Sequence, residues 1–155
     1  MSTRSSILIK NGKTEILLYR HCDGYLEGAG QDLHDDLLNS KFEFSEKNMN
    51  YGFGGKAKKS DLENGNFNIA DFTKKLLDQD GSYRIDNEPP YDIEYLYTFK
   101  FEDNYNHGGH YNRVKLKSIE VDQDHAYGRG GKNKYKSLSE FQDAINKARK
   151  EVGIK

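Results

Sequence analysis

Residues 5–10 and 13–20 alternate apolar and polar side chains, and Asn11-Gly12 stands between them, a strong short signal for a two-residue hairpin turn. That turn predicts a register in which Lys10 pairs with Lys13, Ile7 with Ile16 and Arg4 with Tyr19. Ile7, Ile9, Ile16 and Leu18 then share a buried face, while Arg4, Tyr19 and His21 share the opposite one. Over residues 30–39 the spacing becomes helical, with Leu33 and Leu37 one turn apart and Asp32, Asp35 and Asp36 facing outward. Asn68 is placed to cap a second helix carrying Ile69, Phe72 and Leu76, which Gly81 ends. After Pro89-Pro90, residues 93–102 put Ile93, Tyr95, Tyr97, Phe99 and Phe101 on one face, and residues 112–121 return as a partner strand. The inward phase slips between Leu116 and Ile119, which predicts a bulge near Lys117-Ser118. Tyr127-Gly128-Arg129-Gly130-Gly131-Lys132 reads as a loop, and Ser137-Leu138-Ser139-Glu140 as a capping box. The helix it opens has the stripe Leu138, Phe141, Ile145, Ala148 and Val152.

This order predicts an α+β fold over residues 1–155, a single domain. Its sheet is expected to be mainly antiparallel, an N-terminal hairpin plus a later two- or three-stranded meander, packed against about three helices. Residues 45–66 hold Tyr51-Gly52-Phe53-Gly54-Gly55 and Lys56-Ala57-Lys58-Lys59 without sustained period, and read as a mobile loop. Only 34% of the 155 residues are apolar and 32% are charged, but 11 Tyr and 8 Phe supply the amphipathic bulk that disordered chains lack. With 24 basic and 25 acidic side chains the net charge is -1, which removes the global electrostatic case for nucleic-acid binding. Cys22 is the only cysteine, so no intrachain disulfide forms and a reducing compartment is the simpler expectation. The apolar run after Met1-Ser2-Thr3-Arg4-Ser5-Ser6 is too short for a signal-peptide core, and no stretch approaches a membrane span. A cytoplasmic protein without membrane contact is expected.

The densest chemistry lies at Tyr19-Arg20-His21-Cys22-Asp23-Gly24-Tyr25-Leu26-Glu27-Gly28-Ala29-Gly30, between the second strand and the first helix. Glycines there permit positive φ and close backbone approach, and the amides of Ala29, Gly30 and Gln31 at the helix start are candidate donors to an anion. Arg4, Arg20 and His21 would add positive charge. Against a phosphate cradle stand Asp23 and Glu27 and the lack of a Walker lysine; the structural alternative is a turn in which Asp23 caps or pairs with an arginine.

Thr3-Arg4-Ser5, then Tyr19-Arg20, Asp23-Gly24-Tyr25, Gly28 and Gly30 before a leucine-bearing helix, resembles a group of small uncharacterised proteins of bacteriophages and prophages. The match is specific over residues 3–30 and loose over the rest, and this chain has Leu26 and Ala29 where that group commonly has proline and histidine. The resemblance implies an accessory phage protein and no particular activity. From it follows the first functional expectation: a binding protein that antagonises a host function, such as an antiviral defence system of CRISPR or nucleotide-signalling type, by occlusion or sequestration. Its partner would be a host protein or a signalling nucleotide, bound at Arg4, Tyr19, Arg20, His21, Asp23, Gly24, Tyr25, Gly28 and Gly30. The alternatives are a small phosphoester- or nucleotide-acting enzyme using Arg20, His21 and Asp23, and a nucleic-acid-binding accessory protein.

Two further clusters carry chemistry. His107 and His110 with Asp103, and His21 and His34 with Asp23, have ligand types suited to a metal, but neither spacing is preorganised, so no metal and no cofactor is expected. From Arg129 to Lys150 seven basic and two acidic residues leave a local charge of +5. Arg129, Lys132, Lys134 and Lys136 form its basic patch, with Tyr127 and Tyr135 as stacking surfaces for single-stranded nucleic acid or an acidic partner. Self-association is compatible with all of these readings.

Overall fold

The computed structural model describes residues 3–40, 67–79, 82–88, 92–103, 114–123 and 131–153. β1 (Ser5–Asn11) and β2 (Thr14–Arg20) form the expected hairpin in a different register, with Ile9 opposite Ile16, Ile7 opposite Leu18 and Ser5 opposite Arg20. The turn is Gly12-Lys13 rather than Asn11-Gly12, and Gly12 alone takes a positive φ, +61°, as the first central position of a type II′ turn requires. Electrostatics favours this choice. Lys10 now faces Glu15, with an ion pair of 3.4 Å, instead of meeting Lys13 directly. The register shift is two residues, the period of the pleat, so every side chain keeps its expected face. Ile7, Ile9 and Leu18 are buried, and Ile16 packs against them.

The hairpin is part of a six-stranded mixed sheet of order β3-β2-β1-β4-β5-β6. β4 (Tyr95–Asp103) lies parallel to β1 and antiparallel to β5 (Val114–Gln123), and β6 (Lys132–Tyr135) completes a three-stranded meander. The predicted bulge is present: Lys100 faces Ser118 and Phe101 faces Leu116, leaving Lys117 unopposed. β6 is the third strand that the expected two- or three-stranded meander allowed, whereas β3 was not expected. β3 is Tyr83–Ile85, and β6 begins at Lys132, the last residue of the expected loop. Three and four residues are too few to show a period, and each becomes a strand because a neighbouring edge accepts it.

Helices cover one face. A π-helical turn over Leu26–Gly30 runs into α1 (Gln31–Leu38), followed by α2 (Ile69–Leu77) and α3 (Leu138–Glu151). Asn68 Oδ1 accepts from the Asp71 amide and Ser137 Oγ from the Glu140 amide, while the Glu140 carboxylate accepts from the Lys136 amide, one residue before the cap. Phe141 is the hub of the core, with ring centroids 6.2 Å from Phe99, 6.5 Å from Tyr97 and 5.7 Å from Tyr135. The α3 stripe ends at Ala148; Val152 follows the last helical residue and is 58% exposed, not part of the core as expected. The segment 45–66, Gly81, His107, His110, Tyr127 and Arg129 lie outside the described residues. Among the described residues no helix is long and apolar enough to cross a membrane.

Candidate functional site

The motif of residues 19–30 sits where β2 ends, beside the starts of β1, β3 and β4. Alternation along β2 divides its polar groups between the two faces of the sheet. Arg20 turns toward the helices. Its Nε donates to the Cys22 carbonyl at 2.8 Å, and its Nη1 donates to Asp32 Oδ2 at 2.9 Å and to the Tyr83 hydroxyl at 2.7 Å. The residue is buried, so three acceptors hold one charge that water barely reaches. Burial pushes the Tyr83 phenol up to about 12, against the opposing pull of the neighbouring guanidinium.

Tyr19 and His21 turn the other way. The Tyr19 hydroxyl and His21 Nδ1 are 3.0 Å apart, and the guanidinium of Arg84 lies 4.6 Å from the centroid of the Tyr19 ring. Arg4, next to β1, is ion-paired with Asp92. The Tyr25 hydroxyl donates to Asp23 Oδ1 at 3.1 Å, a bond that raises the phenol's pKa first among its causes. Arg20, His21 and Asp23, the three groups of the enzymatic alternative, thus engage three different sets of partners.

The glycines act by size. In the motif the positive φ falls on Asp23, at +55°, a residue type that tolerates it. A Cβ on Gly24 would stand 2.8 Å from Ser5 Cβ and 2.9 Å from the Thr3 carbonyl oxygen, and one on Gly28 would stand 2.6 Å from the Asp23 carbonyl oxygen. These contacts let the turn lie against the start of β1, where the Gly24 amide donates to Thr3 at 2.9 Å and Tyr97 Oη donates to the Gly24 carbonyl at 2.7 Å. The amides expected to cradle an anion are occupied. Ala29 donates to Asp23 at 2.8 Å, Gly30 to Tyr25 at 3.4 Å, and Gln31 to the Gly28 carbonyl, because the π-helical turn supplies carbonyls to the start of α1.

Tyr83, Arg84 and Asp92 belong to this region and were missed. Only the three-residue alternation Tyr83-Arg84-Ile85 hinted at the first two, and no periodic pattern in the sequence marks Asp92. Asp32, read as one of three outward carboxylates, is the partner of Arg20.

The basic patch lies at the other end of the sheet order. Lys132 and Lys134 are exposed on β6, opposite Asp122 and Glu120, and Lys136 is exposed just after it. Glu120 receives Lys100 at 2.5 Å and Lys132 at 3.4 Å, and these bonds, Lys100 first, hold its carboxyl below the usual range. Tyr135 points into the core against Phe141, so it is not the stacking surface expected of it. Among the described residues no three of His, Cys, Asp and Glu converge as a metal set. No protein-family model matches the chain, and neither does any curated protein or solved structure.

Proposed function

We propose that this chain is a phage-encoded accessory protein that antagonises a host function by binding and occluding a host protein, of the kind that blocks an antiviral defence system. The phage assignment rests on the resemblance over residues 3–30. The binding reading rests on one observation: Arg20 and the amides suited to an anion are bonded within the chain, while His21, Cys22 and Asp23 remain exposed beside the half-buried Tyr25. A nucleotide would have to displace Arg20 from Asp32 and Tyr83, and Ala29 and Gly30 from their carbonyls, which favours a protein partner over sequestration of a nucleotide.

The contact surface is the rim formed by Arg4, His21, Asp23, Tyr25 and Arg84; Tyr19, expected among these groups, is buried beneath Arg84 and supports the rim rather than facing a partner. The test is a phage-protection assay with His21→Ala/Tyr25→Ala, two substitutions outside the Arg20 network. Loss of protection with a melting temperature within a few degrees of wild type is expected. Full protection by the folded variant would remove the rim from the contact surface.

A further inference from the structure

We infer that β6 is a strand-addition site for an extended acidic peptide, which pairs with its outer edge at Lys132 and Lys134. Among the described residues no strand lies outside β6. In an antiparallel ladder, alternate residues turn their amide and carbonyl toward the neighbour and the others turn them away. The Gln123 amide donates to the Gly131 carbonyl, so on β6 the inward-bonding residues are Gly131, Asn133 and Tyr135. Lys132 and Lys134 therefore present their main-chain donors and acceptors to the outer edge. The edge stops there, because the Lys136 amide is held by the Glu140 carboxylate.

The side chains define the occupant. Lys132 and Lys134 stand on the face away from the helices, since Tyr135 between their pleats packs on Phe141. Residues directly opposite in a ladder share a face, so an added strand meets both lysines with residues two apart, and acidic side chains at those positions are the complement. Lys132 and Lys134 put two positive charges on the outward face of β6 with no acid within the strand, and Glu120, which Lys132 meets at 3.4 Å, is held more closely by Lys100 at 2.5 Å. A second copy of this chain is the wrong occupant. Edge-to-edge pairing of two β6 strands sets lysine against lysine, and pairing with β3 sets lysine against Arg84, and both juxtapositions repel. Single-stranded nucleic acid fits less well because Tyr135 is turned inward and offers no ring to a base.

β1, β4 and β5 lie between this edge and β2, so the inference stands apart from the rim proposed above. The test uses the full-length protein and a fluorescent peptide Thr-Val-Glu-Val-Glu-Val-Thr. Controls are its Lys-for-Glu counterpart, a version N-methylated at alternate backbone amides, and oligo-dT. The acidic peptide is expected to bind at least about tenfold more tightly than either peptide control, a free-energy gap of about 1.4 kcal/mol, and to slow amide exchange at Lys132 and Lys134. Lys132→Glu/Lys134→Glu, checked for folding by its melting curve, is expected to reverse the preference toward the lysine peptide. Equal binding of the acidic and N-methylated peptides would reduce the site to a simple charge effect and overturn strand addition. Tighter binding of oligo-dT, or no saturable binding of the acidic peptide, would overturn it as well.

Discussion

Arg20 and Lys134 are both cations on strands of one sheet, yet their surroundings are opposite. Arg20 stands beside the most motif-like stretch of the chain and meets Asp32, Tyr83 and the Cys22 carbonyl at hydrogen-bonding distance. Lys134 stands in a segment with no motif and remains exposed on an edge. The contrast teaches that density of polar groups in a sequence does not measure their availability. Around the glycine turn those groups join neighbouring strands and a helix, and only side chains outside them, such as His21 and Asp23, stay exposed. On β6 Lys134 and Lys132 stay exposed, Lys132 touching Glu120 only at 3.4 Å, and both turn their main-chain groups to the outer edge.

The sharpest way to break this comparison is Arg20→Ala. Removing the guanidinium leaves the Tyr83 hydroxyl and the Cys22 carbonyl short of a donor while Asp32, half exposed, regains water, and the expected loss is about 3–4 kcal/mol, from the two groups left unsatisfied. For a chain of this size that lowers the melting temperature on the order of 10 °C. Arg20→Lys should recover little, since one ammonium cannot reach three acceptors arranged around a planar fork. A melting temperature unchanged in Arg20→Ala would show that the network is incidental and return Arg20 to the contact surface.

A somewhat smaller effect is expected on the alkaline side. Tyr83 is raised from 10.0 to about 12 by burial, so its proton is held more tightly in the folded state than in the unfolded one. The sign follows directly. Below the unfolded value the contribution is complete, and as pH rises from there through the folded value the unfolded chain gains stability by ionising first, which removes about 3 kcal/mol. Tyr97 is shifted in the same direction by burial, so Tyr83→Phe should flatten part of the alkaline fall and leave the rest. Denaturant melts across that range, with tyrosinate absorbance as the second readout, check this. An alkaline limb identical in wild type and Tyr83→Phe would mean that the phenol is open to solvent.

What was legible in the sequence depended on how local its cause was. The face of Ile7, Ile9 and Leu18, the bulge at Lys117 and the caps at Asn68 and Ser137 each follow from a few adjacent residues, and each is present. The hairpin register missed by one pleat repeat, because the Asn-Gly preference was weighed without the charge pairs it would create. β3 exists through pairing with β2, a strand distant in the chain, and β6 is a four-residue return onto β5, and neither is long enough for a period to report it. For the site the same rule holds: the motif was visible, but its meaning came from Tyr83, 63 residues from Arg20, and from Asp92, 88 residues from Arg4.

The smallest expected effect sharpens the comparison from the other side. Lys132→Ala/Lys134→Ala should change stability by no more than about 0.5 kcal/mol, as exposed substitutions away from caps and buried networks usually do. Lys132 does touch Glu120, but at 3.4 Å and with a side chain 63% exposed, whereas Lys100 approaches the same carboxylate at 2.5 Å and is the first cause of its lowered pKa. Glu120 therefore keeps its main partner. Its contribution is present above the unfolded carboxyl value and lost as pH falls through the lower folded one, and the double variant should narrow that acid window only slightly. Melting curves at neutral pH and through the acid limb provide the measurement. A loss approaching that of Arg20→Ala would mean that the lysines of β6 hold the sheet together as Arg20 does, and the difference between the two regions would disappear.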